Sequence, residues 1–429
     1  MHRTSPRRIK HLTLLAGIAL FAGSCAEDKP LNTFEPRGPL AQKVLDLMYP
    51  IIWVIMGIVF VAVVFGTLWL SVKNRVKPED FDHDDLPEQV HGNPKLEWGW
   101  TAAPAVLLGV IAVFSWSAVF DLEKKNDGTQ NEVDVMVIGQ QWWFEYRYDI
   151  DGDGFFRDAD GDGQIFGANA EGGDIDDVEW PLHLALDPDD LVVANQLVIP
   201  VGQQVDLWVT SRDVIHSYWL PRLNGKRDTV PGRLSTWAIE ADEVGEYNGW
   251  CTEYCGLSHS RMRMSAVALE WDDYQAWLDN QVAGAVVPTE GTEEWDGYQV
   301  FQAQCMSCHV VNDGELQYAD DFQAALTAGA APNLTKFATR TAYAGAIYSQ
   351  FAGVDVDDDD LLEVLEAAGG DYLSLSDTLR FDEAGLRRWI SNAPEQKPMS
   401  PEDQRGMPAF PGLTEDDLEA LIAYLHTLD

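Results

Sequence analysis

The sequence predicts a chain in three parts: a pair of membrane-spanning helices, an all-β sandwich and an all-α unit at the C-terminus. Three observations carry that expectation. Two uncharged apolar runs, 48–71 and 98–120, each approach the ~20 residues needed to cross a bilayer. Leu191 to Leu269 alternates β-branched residues with turn signals such as Asn224-Gly225 and Pro231-Gly232, the pattern of short strands in an antiparallel sandwich. Near the end, Thr414 and Asp417 can cap a helix whose apolar face is Leu418, Leu421, Ile422 and Leu425.

At 429 residues the chain is long enough for two or three domains. It carries 29 Lys and Arg against 70 Asp and Glu, a formal net charge of -41, which argues against nucleic acid as a partner because the phosphate backbone would be repelled. An acidic face can steer a basic redox partner, although general adaptation to a salty environment explains most of these carboxylates.

Residues 1–25 read as an export signal: Arg3, Arg7, Arg8 and Lys10 precede an apolar core from Leu12 to Phe21. Ala22-Gly23-Ser24-Cys25 is similar to a lipoprotein cleavage box, with Ala22 where leucine is usual; ordinary cleavage nearby is the other reading. Residues 26–125 form the membrane hairpin. Lys73, Arg75, Lys77 and Lys95 lie between the spans, which places that loop in the cytoplasm and both ends of the hairpin on the other side. Glu97 opens the second span, and a carboxylate at a membrane boundary is a functional candidate; an interfacial carboxylate that merely ends the helix is the plainer reading.

Residues 130–272 form the β domain, interrupted by an acidic insertion at 149–179. Asp149, Asp151 and Asp153 with Gly154, then Asp158, Asp160 and Asp162 with Gly163, repeat the carboxylate spacing of calcium loops. Position 12 of the first loop is Asp160 rather than glutamate, so calcium binding and a solvated acidic insertion both stay open. The densest chemistry is Cys251-Thr252-Glu253-Tyr254-Cys255-Gly256-Leu257-Ser258-His259-Ser260-Arg261-Met262, with His216 upstream. Thiolate, imidazole and thioether together form a soft set that selects copper. Two Cys and two His could hold a pair of coppers bridged by both sulfurs, with Met262 and a backbone carbonyl as weak outer ligands. A Cys251–Cys255 disulfide would leave His259 and Met262 unexplained.

His216, Lys226-Arg227-Asp228, Pro231-Gly232-Arg233 and the Cys-x-Glu-x-Cys-Gly-x-x-His-x-x-Met run resemble the dinuclear CuA domain of cytochrome c oxidase subunit II, over roughly residues 45–270. The resemblance implies a cupredoxin Greek-key sandwich with its ligands on loops at one end. It makes His216, Cys251, Cys255, His259 and Met262 copper ligands, with Glu253 offering its carbonyl to copper and its carboxylate to a magnesium shared with subunit I. It also gives Glu97 the entrance of a proton path and makes Trp142, within the aromatic run 141–148, the point of electron entry.

Gly284, Pro288 and Gly291 mark a linker over 273–292, after a short helix, and residues 293–429 form the last unit. Cys305-Met306-Ser307-Cys308-His309 is the c-type haem attachment pattern: two thiols for the vinyl groups and His309 for the iron. With the helix before it, Pro332-Asn333-Leu334 and a late methionine, the unit is similar to small class I cytochromes c. That similarity makes the Pro332 carbonyl the partner that fixes the His309 tautomer and makes Met407, ahead of Met399, the sixth ligand. The stretch from Asp355 to Leu375 is an inserted loop of unknown role.

The resemblance therefore implies subunit II of a respiratory, proton-translocating cytochrome c oxidase with a fused cytochrome c unit. Its catalytic residues lie in a partner subunit. Implied partners are subunits I and III, a cytochrome c or another periplasmic or membrane electron donor, and the lipid bilayer. The implied location is the bacterial plasma membrane, with the soluble parts on the outer face. A CuA-containing subunit of a nitric oxide reductase, or a stand-alone membrane electron carrier, would use much the same relay.

Overall fold

The computed structural model describes residues 35–75, 92–122, 133–150, 155–157, 165–166, 190–312, 331–354, 364, 371–399 and 406–429. The export signal with Cys25, Lys77 in the basic loop, and Asp151, Asp153, Asp158, Asp160 and Asp162 lie outside these residues. Asp149 is described, at the end of a strand.

Helix α1 spans Pro39–Lys73 and α2 spans Pro94–Leu122; both are long and apolar enough to cross a membrane. Their apolar side chains face outward along most of their length, as a lipid-facing helix requires. Each is longer than its apolar run. Pro39 starts α1 at a position where a missing N–H costs nothing. At the start of α2 the Asn93 side chain accepts hydrogen bonds from the amides of Lys95 and Leu96, and the Glu97 carboxylate accepts from the Asn93 amide at 3.1 Å. Glu97 thus caps its own helix. Ahead of α1 the chain is clasped to the β domain: the Arg37 amide donates to the Arg222 carbonyl, Asp242 donates to the Arg37 carbonyl, and the Arg37 guanidinium pairs with Glu243 at 2.9 Å.

The β domain begins with β1 (Asp134–Gln140) and β2 (Trp143–Tyr148). Within the acidic insertion, β3 (Phe156–Arg157) and β4 (Ile165–Phe166) pair as a small hairpin. The rest are β5 (Leu191–Ala194), β6 (Gln196–Pro200), β7 (Val205–Ser211), β8 (His216–Trp219), β9 (Lys226–Thr229), β10 (Ser235–Ile239), β11 (Gly245–Trp250) and β12 (Arg263–Leu269). One sheet runs β10-β7-β1-β2-β5, a second runs β11-β12-β6, and β8-β9 is a separate hairpin. Val137, Phe144, Leu197, Leu207, Val209 and Val267 fill the space between the sheets.

The sandwich is mixed rather than antiparallel. β1 pairs β7 in parallel and β12 pairs β6 in parallel, because the intervening chain crosses to the other sheet before returning. The expected linker also starts later than 273. Tyr274, Trp277 and Gln281, at helical spacing, are buried on helix α3 (Trp271–Ala283), and Trp277 packs against Tyr148 with ring centres 5.3 Å apart.

The C-terminal unit contains α4 (Glu293–Gln304), α5 (Leu375–Thr378), α6 (Glu383–Ser391), α7 (Ala393–Gln396) and α8 (Glu415–His426). It is not purely helical, since β13 (Ala342–Tyr343) and β14 (Tyr348–Ser349) form a short hairpin. Thr414 and Asp417 make the expected reciprocal cap at the start of α8. Helices α4 and α8 pack through Tyr298, Phe301 and Tyr424. Gly297 permits the crossing, because a Cβ there would fall inside the Ala420 carbonyl.

The two soluble parts share a continuous interior. Phe351, Tyr372 and Leu375 join the core of the sandwich. A polar network crosses the same boundary: Tyr372 Oη donates to Gln196 Oε1 at 2.8 Å, Thr341 Oγ1 donates to Glu246 Oε1 at 2.9 Å, and the Gln196 amide group donates to Thr341 Oγ1. Asn333 Nδ2 adds a bond to the Val192 carbonyl at 3.1 Å. Buried polar groups that find partners across a boundary fix one relative placement of its two sides.

Candidate metal centre and the adjoining cavity

At one end of the sandwich, the start of β8 and the loop between β11 and β12 bring His216, Cys251 and Cys255 together, with ligand atoms within 4.8 Å of one another. All three are buried. Cys251 Sγ stands 3.8 Å from Cys255 Sγ, too far for a disulfide, and 3.9 Å from His216 Nδ1. Cys255 Sγ lies 3.6 Å from His259 Nδ1 and 3.7 Å from Met262 Sδ, while the Glu253 carbonyl accepts from Cys251 Sγ at 3.2 Å. Every donor expected from the sequence therefore converges on one of two adjacent sulfurs. The Glu253 side chain is exposed on the outside of the loop. Two soft thiolates ringed by two imidazoles, a thioether and a carbonyl fit copper better than zinc, which has little use for methionine.

The hydrogen bond between the two thiols pulls Cys251 well below its ordinary value and pushes Cys255 up, which makes Cys251 the more acidic of the pair. Burial is the largest single influence on His216 and lowers it, but the hydrogen bond between its Nε2 and Asp213 Oδ1, at 2.9 Å, together with the Cys251 sulfur and the charge of both groups, raises it overall. Asp213 also accepts from the amides of Gln141 and Val214. That carboxylate holds the imidazole with Nδ1 toward the sulfurs, the outer-shell role that orients ligating histidines. It lies three residues before His216, a spacing the sequence displays but that does not by itself mark a role.

Behind Asp213 lies a buried charge cluster. Glu145 pairs with Arg147 at 2.9 Å and with Arg212 at 2.8 Å, and accepts from Gln140. Burial would raise the Glu145 carboxyl, but the two guanidinium groups lower it below its ordinary value.

Trp142, expected as the electron entry, is only 4% exposed. Its Nε1 donates to the Cys255 carbonyl at 3.0 Å, and Gln141 Nε2 donates to the same oxygen at 2.7 Å. Gly256 makes this approach possible. Its φ of +114° suits glycine, and a Cβ there would press on the Gln141 amide and the Trp142 ring.

Trp142 also lines a cavity of about 490 Å³ whose walls come from both soluble parts. Cys305, Cys308, His309, Met399 and Met407 line it, with Phe301, Phe337, Leu386, Trp389, Leu421 and Leu425 supplying an apolar wall. His309 Nδ1 bonds to the Pro332 carbonyl at 2.8 Å, which leaves Nε2 for the cavity. Burial lowers His309 from its ordinary value, partly offset by that carbonyl. Met399 Sδ accepts the Met407 amide at 3.1 Å, so both candidate methionines lie together on the cavity wall. A large apolar chamber, two thiols, one oriented imidazole and a thioether fit a covalently held haem.

Lys397 carries no local signal in the sequence. It is 3% exposed, and its Nζ donates to the Trp142 carbonyl at 2.6 Å and to the Ala344 carbonyl at 3.0 Å. Burial brings its ammonium down to about 7.

Residues 133–269 match the family described as cytochrome c oxidase subunit II, periplasmic domain. The chain is 31% identical to cytochrome c oxidase subunit 2 of Alkalihalophilus pseudofirmus over 418 residues, covering 96% of this chain and 95% of that one. It is 26% identical to cytochrome c oxidase subunit 2 of Bacillus sp. strain PS3, covering 97% and 96%. Both alignments are long enough to run through the C-terminal unit. Among solved structures, the periplasmic domain of subunit II of cytochrome oxidase from Bradyrhizobium japonicum is 25% identical and covers 37% of this chain and 96% of that one, with a TM-score of 0.26.

Proposed function

The chain belongs to the cytochrome c oxidase subunit II family, and on that premise we propose that it is the electron-entry subunit of a respiratory oxidase that carries both a CuA centre and a covalent haem c. Membership implies copper, association with other oxidase subunits, and a membrane anchor bearing a periplasmic domain. The proposal adds that residues 293–429 form a cytochrome c unit fused to the copper domain. One observation carries it: Trp142 both bonds to the Cys255 carbonyl and lines the chamber of Cys305, Cys308 and His309.

When bound, copper and haem each supply one-electron exchange. The chain's residues hold, orient and insulate them. His216, Cys251, Cys255, His259, Met262 and the Glu253 carbonyl would hold the copper pair, with Asp213 orienting His216. Cys305 and Cys308 would bond the haem, with His309 and Met407 at the iron and Pro332 fixing the His309 tautomer. The apolar wall excludes water, which keeps reorganisation small when charge moves. The Glu253 carboxylate, on the outer surface of its loop, is proposed to share a magnesium with subunit I. Glu97 caps α2 and is proposed to serve a proton path in the same partner. Trp142 is proposed as the contact between the two cofactor sites, since its burial keeps a soluble donor from reaching it. Fusion raises the effective concentration of the donor beside its acceptor. The expected setting is a bacterial plasma membrane, with subunits I and III as partners, oxygen as acceptor and a cytochrome c or membrane donor supplying the haem.

The test is an optical and electron-paramagnetic spectrum of the purified membrane complex, with metal analysis. A seven-line mixed-valence copper signal, a c-type haem band and oxygen consumption are expected. Non-haem iron with nitric oxide turnover would reassign the complex as a reductase. Absence of the copper signal after full copper loading would overturn the reading.

A further inference from the structure

We propose that Lys397 is a positioning residue that sets the register between the haem chamber and the copper loop for the passage of one electron, a step in which no bond is made or broken. The inference rests on the proposed reading that the chamber holds a haem.

Three contacts converge on residues 397–399. Lys397 Nζ joins the Trp142 carbonyl, in the sandwich, to the Ala344 carbonyl, in the C-terminal unit. Ser258, between the copper donors Cys255 and His259, donates its hydroxyl to the Pro398 carbonyl. Met399 lines the chamber and accepts the Met407 amide. One three-residue strap therefore touches the aromatic contact, the copper loop and the chamber wall. Gly345 marks how tightly the pieces meet: a Cβ there would press on Lys397 Nζ at 2.5 Å and lie in ordinary contact with the Trp142 and Arg261 carbonyls.

A buried ammonium bound to neutral carbonyls is an expensive way to join two surfaces. An apolar side chain would cover the same area at lower desolvation cost, as it does elsewhere in this interface at Phe351 and Leu375. What the ammonium adds is direction. Its donors require two specific carbonyls, one from each part, at a fixed separation, so the chamber cannot slide relative to Trp142 without losing a bond.

The experiment compares wild type with Lys397→Met and Lys397→Gln in the complete complex, loaded with copper and haem. The copper and haem spectra establish that both sites are filled, and rapid photoreduction then reads the rate of electron passage between them. Both variants should keep both spectra, yet pass electrons several-fold more slowly than the wild type. Lys397→Arg, which keeps the charge, should restore part of the rate. A residue that serves stability alone would lower the melting temperature and leave this rate unchanged. An unchanged rate in either assembled variant, with both spectra intact, overturns the proposal. A missing haem band in the wild type would instead overturn the functional reading beneath it.

Discussion

At the scale of single residues, the proposed copper donors are the most legible part of the sequence and their supports the least. Five of the six donor groups lie between Cys251 and Met262, so their chemistry is visible as spacing. Asp213 and Lys397 act through partners 3 and 255 residues away respectively. A carboxylate before a histidine is common, and no local pattern marks a lysine for burial. Both roles are created by tertiary packing. Asp213→Asn should keep the size but weaken the hold on His216, lowering copper affinity about 10- to 100-fold, the range found for outer-shell partners. Competition with a copper chelator measures this directly, and equal retention by the variant and the wild type would remove the orienting role. The Glu145 cluster answers to a different rule. Glu145→Gln leaves the guanidinium groups of Arg147 and Arg212 without their shared carboxylate in a buried setting, and should cost about 3–5 kcal/mol. Denaturant unfolding of the wild type and the variant gives the number.

At the scale of elements, helices were legible and strand direction was not. Apolar runs and a cap ahead of an apolar stripe locate α1, α2 and α8, because both signals are local. Alternation with period two looks the same in parallel and antiparallel strands, so the pairings of β1 with β7 and β6 with β12 could not be read from it. Gly284, Pro288 and Gly291 mark the linker, but the short helix before it runs on to Ala283, because Tyr274 and Trp277 are spaced to close the sandwich. The crossing of α4 and α8 supplies a sharp test. Gly297→Ala would drive a methyl group into the backbone of α8 at Ala420, and overpacking of this kind costs about 1–3 kcal/mol. The same helix leads directly into Cys305. The expected result is a lower melting temperature together with less of the proposed covalent haem, read from haem-stained gels of the mature chain. A variant as stable as wild type would show that the helices can separate freely.

At the scale of the whole molecule, the division into membrane hairpin, sandwich and C-terminal unit follows from composition, but the way the last two join does not. Gln196, Glu246, Thr341 and Tyr372 are far apart in sequence and meet only in the folded chain. Burial raises the Glu246 carboxyl above its ordinary 4.5, partly offset by hydrogen bonds with Thr341, Ser265 and Gln196. The folded state thus binds this proton more tightly than the unfolded chain does. The stability it contributes is complete below about pH 4.5 and is lost as pH rises through the folded value. Glu246→Gln, which mimics the neutral carboxyl, should flatten that part of the pH profile and raise the melting temperature at neutral pH. Thermal unfolding of both proteins across pH 4 to 8 checks this, and parallel profiles would show that Glu246 does not govern the joint.

The clasp of Arg37 against Arg222, Asp242 and Glu243 sets the clearance of the molecule above the bilayer. Nine residues of α1, 39–47, precede its apolar run, and at 1.5 Å each they raise the soluble parts by about 13 Å. Because the chain is gripped immediately before that stalk begins, the height is a built-in dimension of the molecule.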